Sequence, residues 1–92
     1  MTLDQALKSS AFDQVLARNE TVALAYYKTL GSEHLCLLFE KSDGKCRYTH
    51  TVLDPKWNDE QLNVTKIEMA RMMIADGAIE TDVRAIVTGD WK

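Results

Sequence analysis

Leu3, Leu7, Ala11 and Val15 recur at every fourth residue, with Phe12 and Leu16 beside them. That is the spacing of one helical face. Thr2-Leu3-Asp4-Gln5 has the S/T-x-x-Q form of a capping box with Thr2 as N-cap. The pattern predicts an opening helix that Arg18-Asn19-Glu20 ends, with Ser9-Ser10 a weak point where it can split into two short helices. From Thr21 the period drops to two. Val22, Leu24 and Tyr26 alternate with Ala23, Ala25 and Tyr27, and both sets are largely apolar. A strand with cover on both faces, hence central or partly buried, is expected. Thr29 to Glu33 supplies a loop, Leu35 to Glu40 a second strand and Cys46 to Leu53 a third.

Asp54-Pro55 breaks the sheet, because proline cannot continue a ladder but suits the first turn of a helix. Lys56 to Asn63 reads as a polar connection with room for one helical turn. Thr65-Lys66-Ile67-Glu68 is a second capping box, with Val64 placed to staple onto Met69. It predicts a helix from Lys66 to about Asp76, closed by Gly77 in a left-handed C-cap. Ile67, Met69, Ala70, Met73 and Ile74 share one half of that helix; Glu68, Arg71, Met72, Ala75 and Asp76 share the other. Val83 to Thr88, alternating and β-branched, predicts a fourth strand, with a short helix as the alternative. The fold class is α+β. A small antiparallel sheet of three to four strands packs against an N-terminal helix and a second helix, in the order α-β-β-β-α-β, with the helices on one face.

The chain has 92 residues and is read as one domain, 1–92. Apolar residues make up 46% and charged residues 27%, with net charge −3, so disordered and disulfide-dense classes are excluded. The acidic balance argues against gripping free double-stranded DNA over a large surface. No apolar run approaches the roughly 20 residues that cross a bilayer. Met1-Thr2-Leu3-Asp4 has neither the basic nor the apolar region of a signal peptide. A cytoplasmic location with reduced thiols follows as the expectation.

The chemistry-bearing residues concentrate around one hairpin, where His34 and Cys36 precede Cys46 and His50. If Asp43-Gly44 is a two-residue turn, Lys41 pairs with Cys46, Cys36 faces Thr51 and the thiols point to opposite faces. If Ser42-Asp43-Gly44 is a three-residue loop with a bulge, Cys36 faces His50 and Cys46 faces Glu40. The thiols then share a face at roughly 13 Å. A disulfide needs Cα atoms within about 7 Å, so neither register forms one. A zinc site wants four converging ligands, and the second register gathers His34, Cys36 and His50 while leaving Cys46 out of reach. A Cys36–His50 nucleophile–base pair would need an orienting group and a lowered thiol pKa. No catalytic residue, metal site or cofactor is expected, and glycines at single turns give no phosphate cradle.

Three positive charges, Lys41, Lys45 and Arg47, crowd the hairpin tip, with Phe39 and Tyr48 behind them and Lys56 within possible reach. A basic tip with an aromatic side chain suits phosphate contact and base stacking; the alternative is charge guarding a sheet edge. Asp54, Asp59 and Glu60 form an acidic cluster that reads otherwise as a solvated loop. Trp57 and Trp91, outside the periodic elements, either cap the core or anchor an interface.

Taken from Met1-Thr2-Leu3-Asp4-Gln5-Ala6-Leu7 to Gly89-Asp90-Trp91-Lys92, the chain resembles the small phage-encoded anti-CRISPR proteins that inhibit type I-F systems. The resemblance implies a non-enzymatic binder in the cytoplasm of an infected bacterium. Its partners would be the Cas proteins of a type I-F surveillance complex and their guide RNA, held by a monomer, so that target DNA cannot hybridise. The residues expected at that interface are Lys41, Lys45, Arg47, Lys56, Trp57, Asp54, Asp59 and Glu60, with Glu80 and Asp82 as further acids for a basic protein channel. The runner-up is a phage or plasmid accessory protein that binds another host protein, with dimerisation through an edge strand as one form.

Overall fold

The computed structural model describes residues 1–9 and 11–91. Among these the order is α1 (Leu3–Ser9), β1 (Gln14–Arg18), β2 (Val22–Thr29), β3 (Ser32–Glu40), β4 (Cys46–Leu53), α2 (Asp59–Ala75) and α3 (Glu80–Ile86). The strands form one antiparallel sheet in chain order, β1-β2-β3-β4. The α+β class holds, with the order α-β-β-β-β-α-α.

The opening helix is shorter than its periodicity predicts. Its capping box is present: the Thr2 N–H donates to Gln5 Oε1 at 2.8 Å, and the Gln5 N–H donates to Thr2 Oγ1 at 3.2 Å. Ser10 lies outside the described residues, and beyond it the chain is extended. The Asp13 N–H donates to the Tyr26 carbonyl, and the Lys28 N–H donates to Asp13 Oδ2 at 2.6 Å. Val15 and Leu16, expected on the helical face, stand instead in β1 at a bulge and are more than two-fifths exposed. The pairing of residues 14–18 with 23–26 is a cross-strand contact of a hairpin, which the helical spacing of residues 3–15 cannot report.

Both faces of the sheet are covered, which corrects the expectation of helices on one face. Val22, Leu24, Leu35, Leu37 and Phe39 pack under α2 and α3, whereas Ala23, Ala25, Cys36 and Leu38 meet Leu3 and Ala6 of α1. Alternate residues point to opposite faces, so the run of apolar residues in β2 serves two cores at once. Residues Val22 to Ala25 are all buried.

α2 starts earlier than Thr65. Asn58 is the N-cap: its side chain accepts the Gln61 N–H at 2.8 Å, and the Asn58 N–H donates to Gln61 Oε1 at 3.0 Å. Thr65 lies inside the helix, its hydroxyl donating to the Gln61 carbonyl, and Val64 is half exposed rather than stapled to Met69. The predicted facing is right: Ile67, Met69, Ala70 and Met73 are buried, and Ile74 is half-buried. Gly77 follows the helix at φ 108°, a conformation that favours glycine.

The predicted fourth strand at 83–88 is the helix α3, the alternative reading of that segment. Val83 and Val87 are buried, four residues apart on one helical face. Asp82 in its first turn accepts the Thr21 hydroxyl at 2.7 Å, and Asn19 Nδ2 donates to the Asp82 carbonyl. Both contacts tie α3 to the β1–β2 turn.

Candidate functional site: a ring-lined trough on the sheet

The β3–β4 hairpin takes the three-residue loop. The Lys41 N–H donates to the Lys45 carbonyl and the Gly44 N–H to the Lys41 carbonyl, with Gly44 at φ 79°. Glu40 therefore faces Cys46, Leu38 faces Tyr48, Cys36 faces His50 and His34 faces Val52. By alternation all eight side chains belong to the α1 side of the sheet.

α1 has seven residues and covers only part of that face. The remainder is an open trough of about 450 Å³ lined by Phe12, Tyr27, Cys36, Cys46, Tyr48 and His50. Rings run across it in sequence. Phe12 tilts against Tyr27 at 6.0 Å between centroids. Tyr27 stacks on His34 at 4.5 Å with planes 2° apart, His34 lies 6.3 Å from His50, and His50 lies 6.4 Å from Tyr48. His34 Nε2 lies 3.0 Å from the Thr29 hydroxyl, while its Nδ1 is buried with no hydrogen-bond partner among the described residues. Tyr48 is 65% exposed. A preformed apolar surface with few polar groups is the usual character of a binding site.

The thiols contribute packing to this face. Cys36 is buried, and burial, with a smaller effect from Cys46, pushes its thiol up to about 12. The Cys46 thiol is also raised, first by burial and then by the Glu40 charge, against a lowering effect of the N-terminal ammonium. Thiols held protonated are poor nucleophiles and poor metal ligands. Both cysteines are free. No group of three or more His, Cys, Asp or Glu is placed to hold a metal ion among the described residues.

The residues expected to bind a partner are not gathered in one place. Lys45 is exposed at the tip, but Lys41 is half-buried, its Cε methylene 3.7 Å from where a Cβ on Gly77 would stand. Arg47 faces Phe39 across the ladder and so projects on the α2 side, opposite to Tyr48. Phe39 is 1% exposed and sealed in the core, which removes it from the tip's contact surface. Glu40 does not engage Arg47; its carboxylate accepts the Leu3 N–H at 2.8 Å. Lys56 and Trp57 sit at the other end of β4 from the tip. There the Lys56 N–H donates to Asp54 Oδ1 and the Trp57 N–H to the Asp54 carbonyl. Asp59 and Glu60 extend that end, exposed in the first turn of α2. Lys45 thus stands at one end of β4, and Asp54, Asp59 and Glu60 stand with Lys56 at the other, about 25 Å away over its eight residues.

Glu80 and Asp82 have internal roles, in an ion pair to Arg84 at 3.4 Å and in the bond to Thr21. Trp91 caps the core. Its indole N–H donates to the Val87 carbonyl at 2.9 Å, and the Arg84 guanidinium lies 4.4 Å from the ring centroid. Trp57 is half-buried and stands outside both core clusters.

Phe12 and Tyr27 are the trough residues that sequence reasoning left out; His34, weighed there as a ligand, stacks on Tyr27 beside the trough. Once the bulged register is chosen, parity along β2, β3 and β4 places Tyr27, His34 and His50 on one face, and that was the available signal. Compared with protein-family models, with curated proteins and with solved structures, the chain matches none.

Proposed function

We propose that the chain is a non-enzymatic inhibitor that binds the RNA-guided surveillance complex of a type I-F CRISPR system stoichiometrically and blocks target-DNA hybridisation. The observation that carries the binding part of this reading is the uncovered sheet face from Phe12 to Tyr48, an apolar, ring-rich surface with Lys45 beyond the tip end of its β4 edge and Asp54 beyond the other end. Such a surface fits a partner made of protein and RNA. Aromatic rings accept unstacked bases, the basic end meets phosphate, and the acidic end meets a lysine-rich DNA path. The choice of partner comes from the whole-chain resemblance to the anti-CRISPR proteins. The inhibitor acts inside the infected bacterium, as a monomer on the complex.

The test is co-elution with a purified type I-F surveillance complex, followed by a target-DNA gel shift on the same mixture. Co-elution with lost DNA binding supports the proposal. Co-elution with intact DNA binding moves the block to a later step, such as nuclease recruitment. Absence of co-elution overturns the type I-F assignment and leaves the binding of another host protein. Reversing the charges of Lys45 and Arg47 should then weaken the complex, and an unchanged affinity would remove the RNA contact from the proposal.

A further inference from the structure

The sheet has two edges, and they differ. β1 is short and bulged between Val15 and Ala17, and a bulge discourages pairing with another chain. β4 runs eight residues against β3 without a register shift. From Tyr48 to Val52 it carries no proline and no Asp, Glu, Lys or Arg, so that stretch lacks the usual guards of an edge strand.

In an antiparallel ladder every second residue turns its N–H and C=O away from its neighbour. The Cys46 N–H donates to the Met1 carbonyl at 2.7 Å, away from β3, and so identifies the outward set as Cys46, Tyr48, His50 and Val52. Met1 occupies the first of these. The open stretch is then Tyr48, His50 and Val52, and it is symmetrical about His50.

We infer that β4 pairs with β4 of a second copy, antiparallel and about a two-fold axis through His50, joining two four-stranded sheets into one. In this register His50 meets His50 of the second copy and Tyr48 meets its Val52. Each pair exchanges both backbone bonds, so every open N–H and C=O from Tyr48 to Val52 is satisfied. The two most exposed apolar side chains of the strand, Tyr48 at 65% and Val52 at 52%, cover one another on the trough side. On the opposite side Thr49 falls beside Thr51 of the second copy, a favourable cross-strand pair. No like charges oppose each other between residues 48 and 52. A slip by two residues towards Met1 would need the Cys46 N–H, which is already taken. Only three outward residues of each edge pair, far fewer than the roughly 20–30 residues a side of a standard interface, so association in the micromolar range or weaker is expected. The inference does not rest on the proposed surveillance-complex partner, and because pairing covers Tyr48 on the trough side, dimer and complex would compete for that residue.

Sedimentation equilibrium on the untagged chain from about 10 µM to about 1 mM reads this directly. A monomer–dimer equilibrium is expected, and a monomer throughout overturns the inference. His50→Pro removes an outward N–H, a change that edge strands accept, and should abolish the dimer while the chain stays folded; a dimer that persists also overturns it. Should that variant not fold, His50→Cys in a Cys36→Ala, Cys46→Ala background serves instead. Directly opposed hydrogen-bonded residues lie about 5.5 Å apart at Cα, within disulfide range. Mild oxidation should link this variant into dimers and leave the equivalent Tyr48→Cys variant unlinked. Equal linking of the two, or of neither, rejects the register.

Discussion

His34 lies flat on Tyr27, the ring centroids 4.5 Å apart and the planes within 2° of parallel. The two are cross-strand neighbours on β2 and β3, so the stack is a sheet contact, and its Tyr27 ring also lines the trough. Tyr27→Ala should therefore cost stability, about 2 kcal/mol for a half-buried aromatic in such a pair, read as a lower urea midpoint. Tyr48→Ala, at an exposed position, should leave stability within ~0.5 kcal/mol. If the trough is the contact surface, it should weaken binding to the surveillance complex about tenfold or more. Equal binding by the Tyr48 variant and the parent chain would place the contact elsewhere.

The cap of α2 offers a contrast between two residues. Asn58→Ala removes the side chain that accepts the Gln61 N–H and should cost about 1 kcal/mol. Thr65→Ala removes only a back-bond to the Gln61 carbonyl within the helix and should be neutral or slightly stabilising. Denaturant unfolding of the two variants separates them; the reverse order would place the helix start at Thr65.

Asp82 connects α3 to the β1–β2 turn through the Thr21 hydroxyl. Asp82→Ala should lower stability by about 1–2 kcal/mol, the range for a part-buried hydrogen bond to a charged acceptor. Thr21→Val should lower it similarly, and the double variant should cost less than the sum if the bond is the cause. Strict additivity in that cycle would show that the two side chains act separately.

The Cys36 thiol, raised to about 12 by burial and by Cys46, makes an alkaline prediction. In the unfolded chain this thiol loses its proton near its ordinary value, around 8.5; in the folded chain it holds it. Its contribution to stability is complete below that ordinary value and is lost as pH rises towards 12. Unfolding midpoints should fall across this window, and less steeply in Cys36→Ala. Alkylation in native buffer at pH 8 should modify Cys46 before Cys36, with mass spectrometry as the readout. Prior labelling of Cys36 would mean that α1 does not cover it.

Local rules made several elements legible. The Thr2–Gln5 box, the two-sided apolar run of β2 and the buried stripe of α2 are each set by neighbours within a turn or a pleat. The hairpin register was narrowed to two alternatives because turn length and glycine position constrain it jointly. β1 escaped because Val15 and Leu16 are apolar for their place beside β2, and their spacing after Leu7 and Ala11 matches a helix by coincidence. α3 escaped because its β-branched residues follow tertiary packing, with Val83 and Val87 entering the core together, more than intrinsic preference. The charged interface residues were found as types, but their division between faces and ends of the sheet depends on register. The two-sided cover was itself implied by β2: a strand with both alternating sets apolar requires something on each face, and α1 was the segment available for the second.

Met1 has a consequence for how the chain is handled. Its carbonyl takes the Cys46 N–H, so the first residue acts as a stop at one end of the open edge, fixing how many rungs remain for another strand. An affinity tag fused ahead of Met1 would project beside that edge, and any pull on it that frees the Cys46 N–H would lengthen the docking strip by one rung. Capture experiments with a tag at this end would thus measure a different surface from the one the untagged chain presents.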